Sequence, residues 1–597
     1  MFSAPLKASR LATQVLAALL LGYADDVLGS ASPSVAEWNA LNATVGGRLH
    51  ITVPFELPCF SDSNGQPAIP DPAVCTAVQQ NYTDPDFRVQ HFGAYMISQW
   101  ETCQTTGAGC LLDDTNPTNP LAFNGTNCQL GNLASYHINV SSVTDIQAAF
   151  AFSRSTGVKL SVKSHGHDYK GRPSGKGTVG LWWNLLKNRS HCVVQIAYES
   201  DFIPEACNGS YMTITIGPGA RLADVYAFAD EHNATFIGGY HETIGSGYFL
   251  GGGHSILSPV FGLGVDRVVQ LKVVTPDGHF RIVNECQNSD LFWALRGGGG
   301  NAFGVVTELS LRVEPRVTLQ AAIIRFSGNM STIGDWYELT VDNSLQWGYE
   351  GWGGHIQGTG LIHVNPKLNN SEAQSSMQSA IDFAVSRGGS GFIDELLSWN
   401  AFFTKYVTTA EAPVGPEILL ASRLMPKALF ETAHNRVNLS NTIRNVLSFS
   451  NPYIVVGTPF LFPYVEGSTS VTPAWRTALW HLNVKGQFFF NSTAEERISQ
   501  YATVSQHIQP FRDISPGSGA YFNEGDVYEP DYEYSYWGDD YPRLLEVKHK
   551  YDPDHLMDCW QCGEFSFVVV NVQHLKPLVS VGWKGANDPQ YSCYVSV

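Results

Sequence analysis

The run L-S-V-K-S-H-G-H-D-Y-K-G at residues 160–171 decides how the remaining chain is read. Leu160 and Val162 alternate with polar residues as in a strand, and Gly166 lets the backbone beyond that strand approach a bulky ligand without a Cβ in the way. His167 follows the glycine directly, where a neutral imidazole can serve as nucleophile or ligand towards whatever the turn cradles. Three readings are open at this point. One is a hydrogen-bonded histidine in a surface turn; another is a metal pair, His165 and His167, on one face of an extended segment; the third is a turn that holds a prosthetic group.

The flanks narrow the choice. Tyr136 to Val140 reads as a short strand, and Ser142-x-x-Asp145 as a variant capping box opening a helix with Ile146, Ala149 and Phe150 on one face. Gly157 stops that helix, so a β-α-β unit delivers the turn. A second unit has a strand from Thr213 to Ile216, a Gly217-Pro218-Gly219 turn, and a helical face of Leu222, Val225, Tyr226 and Ala229. Then comes G-G-Y-H-E-T-I-G-S-G-Y-F-L-G-G-G-H-S at 238–255. No Gly-Lys-Ser/Thr follows it and no strand-helix junction carries G-x-G-x-x-G, which argues against the two common nucleotide loops. Backbone lying flat along an extended planar ligand explains the glycines, and the interleaved Tyr, Phe and Leu argue against a linker. Pro276-Asp277-Gly278 joins Val268 to Thr275 and His279 to Val283 as a hairpin. Ser289 is placed to cap a short helix from Asp290 to Leu295, ahead of Arg296-Gly297-Gly298-Gly299-Gly300 and a strand from Val305 to Val313.

With 44% apolar and 12% aromatic residues, the 597-residue chain can build a large interior divided into two or three lobes. A formal charge of -18 without a Lys/Arg cluster sets nucleic acid aside as a partner. Lys7 and Arg10, the apolar run Leu11 to Leu21 and small residues around Ala24 and Ser30 to Ser32 have the layout of a secretory leader, residues 1–24 with cleavage between 24 and 32. That run is too short to span a bilayer, and no later segment reads as a membrane span. Asn-x-Ser/Thr acceptors at Asn42, Asn81, Asn124, Asn139, Asn188, Asn208, Asn233, Asn329, Asn369, Asn438 and Asn491 fit an extracellular protein carrying N-glycans. Cys59, Cys75, Cys103, Cys110 and Cys128 lack zinc-like spacing, so disulfides are expected. The total of 11 cysteines is odd, and Cys593 is the expected unpaired thiol.

Residues 33–132 read as a loop-rich, disulfide-pinned wrap without an independent core. Beyond Pro315 the character changes to strand-like runs such as Leu319 to Phe326, a helix near Ser371 to Arg387, and many aromatics, which suits a hydrophobic or ring-bearing substrate. A-Y-F-N-E at 520–524 precedes a helix from Tyr541 to Lys550, stopped by Asp552-Pro553, and then Cys559-Trp560-Gln561-Cys562.

Four ordered blocks carry a resemblance: K-S-H-G-H-D-Y-K-G from Lys163, L-G-G-G-H-S-I-L-S-P-V-F-G-L-G-V-D-R-V from Leu250, L-R-G-G-G-G-N-A-F-G-V-V-T from Leu295, and A-Y-F-N-E with C-W-Q-C. Together they resemble the vanillyl-alcohol-oxidase/PCMH superfamily of FAD-linked oxidoreductases, in its berberine-bridge-enzyme-like branch and its secreted fungal isoamyl-alcohol-oxidase-like members. The resemblance implies an α+β, two-lobed PCMH-type FAD-binding fold split over both chain ends. In this sequence that places a wrap at 25–130, the FAD domain at 131–314, an inserted α+β substrate domain at 315–516, a berberine-bridge-type segment at 517–562 and an extra tail at 563–597. It also implies FAD bonded through its 8α-methyl carbon to His167, whose imidazole nitrogen can add to that electrophilic carbon. Lys163, Ser164, His165, Gly166 and Asp168 are implied to border the cofactor, with His165 beside the pyrophosphate. Thr243, Ile244, Gly245, Gly247, Gly252, Gly253, His254 and Gly262 are implied likewise, as are Val306 and Asn523.

Two departures from the family matter. Relatives with a second, cysteinyl flavin link carry C-P-T-V-G where this chain has His241-Glu242-Thr243-Ile244-Gly245; without the thiol, a single attachment is expected. Ile244 stands where oxygen-reactive members tend to have Val, so a dehydrogenase using another acceptor stays open beside an oxidase using O2. The implied reaction is hydride transfer to flavin N5 from a C–H next to oxygen or nitrogen in an alcohol, phenol, sugar or secondary metabolite, while a base takes the hydroxyl proton. Tyr521, in a Tyr-x-Asn pattern with Asn523, is the expected base or positioner. His241 is the second catalytic candidate, with Glu242, His363 and His481 weaker ones. The alternatives are a biosynthetic dehydrogenase or cyclase of a large secondary metabolite, a metal-dependent oxidase on His165 and His167, and a flavin-containing binding protein without turnover. The metal reading lacks a further histidine cluster at ligand spacing, and no metal is expected.

Overall fold

The computed structural model describes residues 32–183, 196–300, 302–408, 411–562 and 592–594; the leader-like run, Asn188, Cys192 and nearly all of the tail lie outside the described residues. Tyr136–Asn139 and Leu160–Lys163 are the strands of the β-α-β unit, joined by the helix Val143–Thr156. Ser142 and Asp145 form its capping box, and Gly157 ends it at φ 77, a left-handed conformation that suits glycine. The two strands do not pair with each other. Val179–Trp182 lies between them, parallel to both, and Leu49–Ile51 pairs antiparallel with Tyr136–Asn139 at the far edge. The turn carrying His167 therefore leaves a strand that is at the sheet's edge among the described residues.

A five-stranded antiparallel sheet follows, in the order Phe280–Val283, Val268–Val274, Val305–Arg312, Tyr211–Ile216, Ile196–Phe202. The hairpin across Pro276-Asp277-Gly278 is present, and Leu222, Val225, Tyr226 and Ala229 are the buried residues of the helix Leu222–Glu231. The helix before the Arg296 glycine run is Ser289–Ala294, so Ser289 is its first residue rather than its cap. Asn288 takes the cap position at φ 51, since asparagine tolerates the left-handed region better than most side chains.

Leu319–Arg325 opens a seven-stranded sheet in which every neighbouring pair is antiparallel, ending with Ala478–Gln487. Alternating residues of Leu319–Arg325 divide between two cores. Ala322 and Ile324 join the core formed with the helices Met330–Glu350, Asn370–Val385, Ala433–Val446 and Ala494–Ile514, whereas Ala321 and Ile323 join the core shared with the first lobe. Both faces of this sheet are thus used, and its first-lobe side becomes a wall of the site.

Two expectations are corrected. Residues 33–132 have a small core of their own, in which Phe55, Phe60, Val78, Tyr82 and Leu112 surround the disulfides Cys59–Cys75 and Cys110–Cys128. A loop-rich composition hides such a core, because cross-links reduce the apolar burial it needs. Cys593 is not free: it bonds Cys103 across a sequence separation of 490, and the remaining bonds are Cys207–Cys286 and Cys559–Cys562. The partner follows from the docking of the chain's end, where Tyr594 stacks on Trp560 at 5.0 Å and donates its hydroxyl to Gly171 O at 2.8 Å. Replacing Cys593 by Ser should lower the thermal midpoint, because closing so long a loop contributes ~2–4 kcal/mol. Limited proteolysis should then cut first near the C-terminus, and an unchanged midpoint and digestion pattern would show the bond to be dispensable.

Candidate active site

The His167 turn is built by close approach. Gly166 sits at φ 87, where a Cβ would lie 3.1 Å from the Tyr95 ring. From the second glycine-rich stretch, Gly245 meets the same turn so closely that a Cβ there would lie 2.1 Å from Ser164 Oγ and 3.0 Å from His165 Nδ1. Asp168 binds Arg172 at 2.7 Å, and Arg172 lies over the Phe522 ring at 3.9 Å. Asn523 Oδ1 accepts from Tyr169 N at 3.3 Å, so the C-terminal block A-Y-F-N-E is tied directly to the turn.

Between these segments and the seven-stranded sheet lies a cavity of about 1440 Å³. Ligand pockets for drug-sized molecules run about 300–1,000 Å³, so this one has room for an extended cofactor with a substrate beside it. Ser164, His165, Gly166, His167 and Asp168 form one wall of it; His241, Ile244, Gly245, Gly247, His254 and Val306 form another. Tyr521 and Asn523 complete it from the far end of the chain.

Five residues expected at the cofactor stand behind the wall: Lys163, Thr243, Gly252, Gly253 and Gly262. Lys163 follows from strand alternation, since it points away from the face that Val162 and Ser164 present. Its ammonium donates to the carbonyls of His91 at 3.0 Å, Phe92 at 2.7 Å and Ala94, fastening the N-terminal segment. Burial, with Arg88 nearby, pushes that ammonium well below its ordinary value despite Glu101.

A hydrogen-bonded row runs away from His167. Its Nε2 is 2.8 Å from Thr243 Oγ1, and Thr243 Oγ1 is 3.2 Å from His241 Nδ1. His241 Nε2 then reaches Glu411 at 3.6 Å, within ion-pair distance. Burial nevertheless lowers His241 to about 4 and raises Glu411 to about 7, so the two are not an ion pair in mildly acidic solution. His167 is pushed well below its ordinary value by burial first and by His241 and His165 second, which keeps its imidazole neutral and nucleophilic. His165, lowered to about 4 mainly by burial, faces the backbone of Thr243 and Gly219, yet neither of its ring nitrogens has a well-formed hydrogen bond among the described residues. A buried imidazole in that state, in a cavity wall, fits a polar ligand group.

Also in the cavity wall, the structure assembles a cluster that local sequence does not reveal. Glu524 Oε1 is 3.2 Å from His254 Nε2, its Oε2 is 3.8 Å from His481 Nε2, and Tyr240 OH is 3.1 Å from His254 Nδ1. His355 and Tyr453, on paired strands of the large sheet, join at 2.5 Å through Nδ1 and OH. Among sequence features only the A-Y-F-N-E block hinted at Glu524. His363, by contrast, sits between Trp347 and Trp352 outside the cavity. The Tyr521 phenol is raised by burial first and Glu524 second, which favours its protonated form.

Comparison with known proteins bears on the same segments. A family model described as "FAD binding domain" matches residues 134–284, and one described as "Berberine and berberine like" matches residues 520–558. An FAD-linked oxidoreductase of Aspergillus flavipes is 36% identical over 574 residues, covering 89% of this chain and 92% of the relative. A bifunctional decalin synthase of Penicillium decumbens is 29% identical, covering 88% and 90%. Among solved structures, a VAO-type flavoprotein from Myceliophthora thermophila superposes with a TM-score of 0.75 at 25% identity, covering 90% of this chain and 96% of that one. A glucooligosaccharide oxidase from Acremonium strictum superposes at 0.58 with 21% identity, covering 72% and 92%, and shares the fold. Replacing Gly245 by Ala should push the glycine-rich stretch off Ser164 and His165 and lower the flavin-to-protein ratio read from visible absorbance. An unchanged ratio would mean that this contact does not shape the cofactor's bed.

Proposed function

The chain belongs to the FAD-linked oxidoreductases of the vanillyl-alcohol-oxidase/PCMH superfamily, in its berberine-bridge-enzyme-like branch, and on that premise we propose an exported enzyme whose FAD is bonded to one residue, His167. Its substrate is a small molecule oxidised at a C–H next to oxygen or nitrogen. The observation that carries this reading is the half-buried His167 in the cavity wall, its imidazole pushed towards the neutral form, with Thr243 at 2.8 Å on Nε2. With Nε2 donating to Thr243, Nδ1 keeps its lone pair for the flavin's methyl carbon. His241 occupies the position of the second, cysteinyl attachment and has no thiol, which supports a single bond. Bound FAD supplies a hydride acceptor and, once reduced, an electron source for O2 or another acceptor.

The chain's own residues bind, orient and exclude water. Ser164, His165 and Gly245 hold the turn against the cofactor's bed, while Arg172 and Asn523 keep the C-terminal block closed over it. Ile362, Leu420, Val455 and Phe402 give the opposite wall an apolar surface suited to a hydrophobic or ring-bearing substrate. Export is supported by the leader-like run and by five disulfides, and none of the ten sequon asparagines among the described residues is buried. No helix among the described residues is long and apolar enough to cross a membrane. A second reading, a biosynthetic enzyme acting on a large secondary metabolite, is favoured by the decalin synthase relative and by the cavity's size.

Acid precipitation tests the tether: wild-type pellets should stay yellow with colour on the His167 peptide, and His167→Ala pellets should be white. Colour released entirely from wild-type protein would overturn the single-bond reading. Ile244→Val should speed reoxidation of the reduced enzyme by O2 if the extra methylene narrows oxygen's access. Stopped-flow reoxidation at equal rates in both proteins would remove Ile244 from that role.

A further inference from the structure

We propose that Glu524 is the residue that accepts the substrate's hydroxyl proton, with His254 and His481 as its positioning residues. This rests on the reading above, that a hydroxyl-bearing carbon is oxidised by FAD. In the step, the substrate O–H bond breaks and its proton passes to a Glu524 carboxylate oxygen. The C–H electron pair and hydrogen leave together as hydride to FAD, and the carbon–oxygen bond becomes a carbonyl.

Geometry carries the assignment. Glu524 lines the cavity together with Tyr521, Tyr240, His254, His355 and Tyr453, and it comes from the loop that also supplies Asn523. Its two oxygens are anchored differently, Oε1 to His254 Nε2 at 3.2 Å and Oε2 towards His481 Nε2 at 3.8 Å. His254 is itself oriented by Tyr240 OH at 3.1 Å on its other nitrogen, and its ring lies 5.2 Å from Tyr521 and 6.0 Å from Trp475. A carboxylate with one oxygen pinned and the other loosely held, inside a cavity, is placed to take and release a proton.

The groups facing Glu524 from the packed elements are the imidazoles of His254, His481 and His355, and the phenols of Tyr169, Tyr240, Tyr453 and Tyr521 with Tyr248 behind them. Burial raises the carboxyl, but the electrostatic attraction and the hydrogen bond of His254 outweigh that and leave it below its ordinary value. Burial holds His355 and His481 near 3, so they are uncharged at neutral pH, and it raises the phenols that face the carboxylate. Glu524 is therefore ionised and ready to accept where Tyr521 is not.

The sign for pH follows. Because the working form is the carboxylate and its pKa is depressed, activity should persist through pH 5 and fall only below the ordinary carboxylate range. His254→Asn removes the group that holds the pKa down, so the acidic limb of the profile should move up. In the holoenzyme, Glu524→Gln should slow anaerobic bleaching by benzyl alcohol at least about 100-fold at pH 7, within the usual reach of a general base. Glu524→Asp should recover part of it, and acid-precipitated pellets of all variants should stay yellow.

A second measurement needs no turnover. Bound 4-nitrophenol should resist ionisation in wild-type protein, because the anionic carboxylate disfavours a second negative charge, and the visible absorbance of its anion should appear at lower pH in Glu524→Gln. Equal bleaching rates in Glu524→Gln and wild type, or equal 4-nitrophenol midpoints, would overturn the assignment. Failure of the tether reads separately, as a white wild-type pellet, and leaves the 4-nitrophenol comparison to judge Glu524 by itself.

Discussion

The site depends on a contact between segments far apart in the chain. The His167 turn leaves an edge strand and would be an open loop were it not met on one side by Gly245 and on the other by the block from Tyr521 to Glu524. Asn523 accepting from Tyr169 N, and Arg172 shared between Asp168 and the Phe522 ring, lock that second contact. An Arg held at once by a carboxylate and an aromatic face is well defined in direction, because the planar guanidinium satisfies both without reorienting. The end of the chain adds a further clamp. Tyr594 docks on Gly171, at the close of the same turn, and Cys593 is bonded to Cys103.

Within the cavity, burial does most of the chemical sorting. His165, His167, His241, His355 and His481 are all pushed towards the neutral form, with burial as the first cause in each. Glu411 is raised by the same burial, whereas Glu524, with imidazoles on both oxygens, is not. Two carboxyls in one cavity thereby acquire opposite tendencies from their neighbours. His167 is pushed towards uncharged nitrogen, and Glu524 towards negative charge. The proposed tether at His167 and the proposed proton transfer to Glu524 are compatible with that division.

Much of the frame was legible from residue pattern alone. The capping box at Ser142, the stop at Gly157, the hairpin at Pro276-Asp277-Gly278 and the buried face of Leu222–Glu231 all stand where local rules put them. Such signals depend on neighbours within a turn or two of helix, so a linear reading captures them. The strand inserted between Tyr136–Asn139 and Leu160–Lys163 was not legible, because parallel pairing joins residues that sequence separates. Lys163 illustrates the same limit at one residue: the resemblance implied that it borders the cofactor, and its strand face sends it to backbone carbonyls instead.

By itself the sequence determined the strand-turn-helix frame, the glycine-rich surfaces, the histidine at the head of the turn and the family that these blocks resemble, since each is written in residues close together. Only the tertiary structure decided that Cys593 is paired, that burial beside Glu524 raises the Tyr521 phenol, and that Glu524 stands between His254 and His481. Those outcomes depend on burial and on distances across packed segments, and neither quantity exists until the chain has closed on itself.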